Sequence, residues 1–442
     1  MDKFIEYYSE LAGMKGSYSP FIYHINIYRE EKESLFKPIL YHEFTHYIQN
    51  FTTLSGYNYF YNTLSVMLRS FSHAGVHKKK ITLPLKNCLS MINHLKTKNP
   101  TNLLYCGREG CIRSNSPYPF TTTSHLNFDL YKKNCNDNFN NTTVSLGFIS
   151  FDGFEIPLNE WVIKENMANV VSYVGENGSD ALSNWEMDSY LNNPYKEYTI
   201  IAAFIDIYLH SKKVLELTYK ICELALNMMP VSDTMYSCLE DIQTNCASYL
   251  NLTEEEIIQS LKNKINYTQT FDNQFQNFQK LAKEQVSTFL SLSGDNEFLT
   301  MVSNFYSVII KGLSYRKRKG SFYMIFNDSY ITSLTPIIGC PPIFIKNQSR
   351  PKKIGYQIPS IEHITTAYIM QFVLWDEKVT SACPFLNLGG IKKNKYCYHS
   401  CYRNLYKKQY EGCNLSNALL INGVKKEAVK RAGWLKRKKI ET

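Results

Sequence analysis

Leu35, Ile39, Leu40, Phe44, Tyr47 and Ile48 recur at helical spacing, and the segment they define contains LYHEFTHYIQNF, with His42, Glu43 and His46 in the order H-E-x-x-H. Apolar residues three and four apart specify an amphipathic helix with one buried face. Pro38 falls near the start of that helix, where its missing N–H does no harm. His42 and His46, four apart, project from the same face, so both imidazoles can bind one metal ion. Glu43 lies one position from His42, within reach of a proton on a metal-bound water. Zinc lowers the pKa of such a water toward neutrality and polarises a substrate carbonyl. A single H-E-x-x-H string therefore points to a helix and to hydrolytic chemistry together.

The surroundings fit that use. Residues 19–30, SPFIYHINIYRE, alternate apolar and polar side chains beside Pro20 and read as a strand leading into the helix. Catalytic zinc usually has three protein ligands and one open position. After His46 come Gln49, Asn50 and Thr52, with no third histidine at close spacing, so the third ligand must be remote. The stretch EWVIKENMANVVSY reads as an amphipathic helix opened by Asn159, and it offers Glu165 with Asn169 one turn later. Glu176 and Glu186 are competing acids, and a solvent-facing Glu165 is the plainer alternative.

His42-Glu43-x-x-His46 followed by Glu165-x-x-x-Asn169 resembles the gluzincin branch of zinc metallopeptidases, of which thermolysin is the type. The E-x-x-A-N string of Glu165, Ala168 and Asn169 is also similar to one in the ImmA/IrrE peptidases, which are cytoplasmic bacterial enzymes. HEFTHYIQ resembles the H-E-x-x-H-[FY]-x-Q helix of assorted bacterial proteins. The resemblance covers two short segments and implies a zincin-like core within an α+β, mostly helical chain. It implies one catalytic Zn2+ held by His42, His46 and Glu165, with Glu43 as general base and Asn169 steadying a zinc-binding histidine. It implies a protein or peptide substrate. The chain departs from the pattern in placing 118 residues between His46 and Glu165. Gluzincins often stabilise the oxyanion with a Tyr or His outside the motif, and Tyr190, Tyr195, Tyr198 and His210 follow the proposed ligand helix.

The long gap reads as an insertion over residues 75–143, rich in turn formers and poor in period, between core segments 1–74 and 144–230. His73 and His77, and Cys106 and Cys111, are weak metal pairs within or beside it. Residues 144–158 read as one or two strands, and a long helical pattern dominates 195–229. An accessory helical and mixed unit follows over 231–375, with Thr253 and Glu256 spaced as a capping box. It includes a strand-and-turn stretch around Pro336, Pro341, Pro342 and Pro351 and a helix over 360–375.

The last segment, 376–442, is rich in cysteine. Cys383, Cys397, Cys401 and Cys413 suit a second, structural Zn2+, a [4Fe–4S] cluster is a more distant fit, and reduced bystander thiols are the other reading. The tail from residue 424 carries eight Lys/Arg against two Glu, six of the ten net positive charges. A solvated, frayed tail accounts for this, as does a site for nucleic acid or an acidic partner. From that tail comes the second functional class, a nucleic-acid-associated binding protein with structural zinc sites; a peptidase regulated through its C-terminal region joins the two. An intact Glu43 favours the peptidase, since a structural site has no need of a base.

Hydrophobic residues at 44% and charged residues at 20% exclude wholesale disorder. The first residues carry acids and no apolar run of the kind a signal peptide needs. The longest apolar run, residues 200–209, is too short for a bilayer and contains Asp206. The expectation is a cytoplasmic protein with its twelve cysteines reduced.

Overall fold

The computed structural model describes residues 16–19, 24–27, 36–61, 81–83, 128–137, 142–151, 154–178, 196–210, 213–293, 296–319, 337–339, 343–345 and 429–431. These make a mostly helical α+β protein. Strands β1 (Gly16–Ser19) and β2 (His24–Ile27) form an antiparallel pair, and β2 also pairs in parallel with a distant strand at Ile343–Ile345. Within the strand expected over 19–30, Ser19 closes β1 and residues 24–27 form β2, while Pro20 lies outside the described residues.

Helix α1 (Phe36–Thr52) has Pro38 in its first turn, as its fixed φ and absent N–H allow. Tyr41, Phe44, Tyr47, Ile48 and Phe51 are buried. Two buried threonines on this helix satisfy their hydroxyls on carbonyls four residues back, Thr45 on Tyr41 and Thr52 on Ile48, both at 2.7 Å. At Thr53 the helix breaks and then resumes over 54–61. The Thr53 hydroxyl donates to the Gln49 carbonyl at 2.6 Å and accepts from the Gly56 N–H at 3.0 Å. Gly56 is required there, because a Cβ would lie 2.2 Å from the Asn50 carbonyl oxygen.

Strand β3 (Ile81–Leu83) pairs in parallel with Val429–Arg431, so three residues of the basic tail belong to a sheet instead of fraying. Strands β4 (Phe128–Asp137), β5 (Thr142–Phe151) and β6 (Phe154–Pro157) form an antiparallel meander in that order. β4 falls inside the stretch read as an insertion; its polar run YKKNCND hides the alternation that marks a half-buried strand.

Helix α2 (Glu160–Asn177) begins where Asn159 Oδ1 accepts the Val162 N–H at 2.8 Å. Val162, Ile163, Met167, Val170 and Val171 are fully buried. It lies antiparallel to α1: Glu160 meets Ser55, Lys164 meets Asn50, and Gly175 meets Tyr41.

The helical pattern over 195–229 resolves into a 3-10 turn (Lys196–Tyr198), α3 (Ile200–Leu209) and α4 (Val214–Leu226). α3 ends where His210 takes a left-handed φ of 45°. The apolar α3 is a core helix, and no described helix is long and apolar enough to cross a membrane. α4 is buried nearly all round, packing on α2, α3, α5 (Val231–Thr244) and, past the short α6 (Cys246–Tyr249), α7 (Glu254–Lys264). The capping box opens α7: the Thr253 hydroxyl accepts the Glu256 N–H and the Glu256 carboxylate accepts the Thr253 N–H. The long helices α8 (Tyr267–Ser293) and α9 (Asn296–Lys319) pack on each other, and α9 packs on α1. There Gly312 approaches so closely that a Cβ would sit 2.2 Å from the Phe51 carbonyl oxygen. Strand β7 is the partner of β2 at Ile343–Ile345, in the stretch read as strand and turn, and β8 is the tail strand at Val429–Arg431.

Candidate metal centre

Two antiparallel helices build the site. α1 supplies His42 and His46 from one face, and α2 brings Glu165 opposite them across a chain separation of 123 residues. The Glu165 Oε2 atom lies 3.1 Å from His42 Nε2 and 3.4 Å from His46 Nε2, and the two Nε2 atoms are 3.3 Å apart. A tetrahedral ion about 2.0–2.1 Å from each ligand spaces those ligands by about 3.3–3.4 Å. The three donors thus occupy three corners of such a tetrahedron and leave the fourth open. Among the described residues this is the group of His, Cys, Asp and Glu donors that could hold a metal ion.

Hydrogen bonding sets the tautomer of one ligand. Gln49 Nε2 donates to the Lys164 carbonyl at 3.1 Å, which turns Gln49 Oε1 toward His46 Nδ1 at 2.9 Å. An amide oxygen only accepts, so His46 Nδ1 carries the hydrogen, and Nε2 of the neutral ring presents its lone pair to the centre.

Electrostatics in the metal-free site follow from burial and proximity. Burial opposes a charge on His46, but the Glu165 carboxylate, its hydrogen bond, the Glu43 charge and Gln49 outweigh it and raise the imidazole to about 9. Burial likewise opposes a charge on Glu165, yet the facing imidazoles hold its carboxyl well below the usual carboxylate range. A proton on His46 then takes the place that a cation would fill. Glu43 is 7% exposed and acts on His46 through its charge, which puts a buried carboxylate beside the ligands.

Of the candidate oxyanion groups, Tyr198 lies at the site: its ring stacks on His42, with centroids 6.0 Å apart at 30°, and meets Trp161 edge-on at 6.0 Å. The buried Asn166 fixes that turn. Its Nδ2 donates to the Glu197 carbonyl at 2.7 Å and its Oδ1 accepts the Ile201 N–H at 3.0 Å. His210 is exposed at the end of α3, while Tyr190 and Tyr195 lie outside the described residues. Glu176, a competitor for the third ligand, is exposed, and Glu186 lies outside the described residues. Asn169 is half-buried one turn beyond Glu165 and has contacts of its own.

Gln49 and Asn166 were not singled out as functional in the sequence. Gln49 carries a readable signal, since a residue three positions after a ligand shares its helix face. Asn166 carries only the oddity of an amide amid apolar neighbours. Cys383, Cys397, Cys401 and Cys413, the pairs His73/His77 and Cys106/Cys111, and the helix expected over 360–375 all lie outside the described residues.

No protein-family model, curated protein or solved structure matches this chain.

Proposed function

We propose that the chain is a zinc metallopeptidase with a zincin-like core, hydrolysing a protein or peptide through His42, His46, Glu165 and Glu43. One observation carries the reading: two imidazole nitrogens and a carboxylate oxygen, 3.1–3.4 Å apart, converge beside a buried acid on the same helix. The donor set of two neutral imidazoles and one carboxylate suits zinc. Zinc held there supplies a Lewis acid that acidifies water and polarises a carbonyl.

The protein's own residues do the rest. Glu43 would take a proton from the attacking water as the C–O bond forms and pass it to the amine nitrogen, which then leaves as the C–N bond breaks. Burial keeps its carboxylate short of water competitors. His42 is held between Glu165 and the Tyr198 ring, and His46 between Glu165 and Gln49, so neither imidazole must reorganise during reaction.

The test uses zinc-loaded protein and a mixed peptide library read by mass spectrometry. Wild type should cut, and Glu43→Gln should keep its zinc while losing about 10²–10⁴-fold in rate. Equal cleavage by Glu43→Gln would remove the base from the mechanism, and zinc-loaded wild type that cuts no peptide would end the peptidase reading.

A further inference from the structure

We infer that Gln49 is the positioning residue of the metal centre, one side chain that sets both the tautomer of His46 and the register of Glu165. The inference rests on the metal-site reading above and extends it to a residue that touches no metal.

Gln49 is completely buried on α1, three residues after His46. Both ends of its amide are engaged, the oxygen by His46 Nδ1 at 2.9 Å and the nitrogen by the Lys164 carbonyl at 3.1 Å. The second bond makes the first unambiguous. With Nε2 committed to a carbonyl, the amide cannot flip, so it can only accept from the imidazole. The acceptor forces the hydrogen onto Nδ1 and frees Nε2 for the centre.

Lys164 immediately precedes Glu165. A bond to its backbone therefore sets how far α2 slides along α1, and with it the distance from the Glu165 carboxylate to the two imidazoles. The next contacts along the same seam repeat the constraint. Lys164 Nζ reaches Asn50 Oδ1 at 3.3 Å and Glu160 Oε1 at 2.6 Å, and the Ser55 hydroxyl donates to that same Glu160 oxygen. These contacts bind helix to helix, and Gln49 adds to them a bond to one of the candidate ligands.

Partners that orient a metal-bound histidine are worth about 10- to 100-fold in metal affinity. Gln49→Met keeps the volume and removes both bonds, while Gln49→Glu keeps an acceptor for the Nδ1 hydrogen. Zinc affinity would be measured by chelator competition on the full chain, with thermal unfolding as the control for folding. Two-bond proton–nitrogen correlations on the neutral, metal-free His46 ring would read the tautomer directly. The expected result is a loss of about 10- to 100-fold for Gln49→Met, partial recovery in Gln49→Glu, and a hydrogen on Nδ1 in wild type that shifts to a mixture in Gln49→Met. Unchanged zinc affinity in a folded Gln49→Met overturns the inference, as does a wild-type ring protonated on Nε2. A wild type that takes up no zinc would count against the metal reading, and the tautomer measurement would still decide the role of Gln49.

Discussion

Replacing Arg316 with methionine should cost more stability than any comparable change on the surface, and it should do so through α1, the helix that carries His42 and His46. Arg316 on α9 and Glu223 of α4 are each 3% exposed and form an ion pair. Its Nε donates to the Thr52 carbonyl at 2.5 Å and its Nη2 to the Thr52 hydroxyl at 2.7 Å. Thr52 is the last residue of α1, where carbonyls lack helical partners and a positive charge is favoured. Arg316 thus ties three helices at one point. Methionine fills part of the volume but leaves the Glu223 carboxylate buried without its counter-charge, for which about 3–5 kcal/mol is expected. Replacing Glu223 by leucine in the same chain removes the stranded charge. The double variant should then lie only about 1–2 kcal/mol below wild type, the cost of the Thr52 acceptors losing their donor. Urea unfolding followed by tryptophan fluorescence and circular dichroism would give both values. A single variant within about 1 kcal/mol of wild type, or no more damaged than the double, would refute the assignment of the loss to an unpaired buried charge.

Gly312→Ala should cost about 1–3 kcal/mol, because the new methyl meets the Phe51 backbone oxygen, which cannot move without displacing α1; thermal unfolding checks it. Zinc uptake should be proton-linked. Because the metal-free His46 is raised to about 9, zinc must displace its proton below that pH, so affinity rises with pH and levels off near it. The slope should be about tenfold per pH unit for one proton released; a flat profile between about pH 6.5 and 8.5 would contradict the protonated resting site.

The parts of the fold that were readable in advance are those where local chemistry and burial agree. Apolar spacing marked α1 and α2, Asn159 marked the start of α2, and Thr253 with Glu256 marked α7, because caps act within four residues. The pairing of His42 and His46 was legible from helix geometry alone. Glu165 was named on the resemblance, beside the competitors Glu176 and Glu186, since spacing alone cannot show which acid a second helix turns inward; the 123-residue separation is bridged by tertiary packing of α2 on α1. The division into β1 and β2 and the strand β4 were obscured for a related reason. Short strands with polar sides take their identity from partners such as Ile343–Ile345 and Thr142–Phe151, which lie elsewhere in the chain. The break at His210 depended on a left-handed residue that an apolar helical pattern does not announce. Gln49 sat in plain view beside the motif, and what hid its role was that its second partner is a backbone carbonyl on another helix.

On the proposed reading, three side chains on two helices hold one zinc ion. Anomalous diffraction from crystals of the zinc-loaded protein, collected on either side of the zinc absorption edge, tests it most directly. The expected result is a zinc peak about 2.0–2.1 Å from Nε2 of both His42 and His46 and about 2.0–2.2 Å from a Glu165 carboxylate oxygen. A zinc-loaded crystal with no peak among those three atoms, or with the peak bound by other side chains, would contradict it.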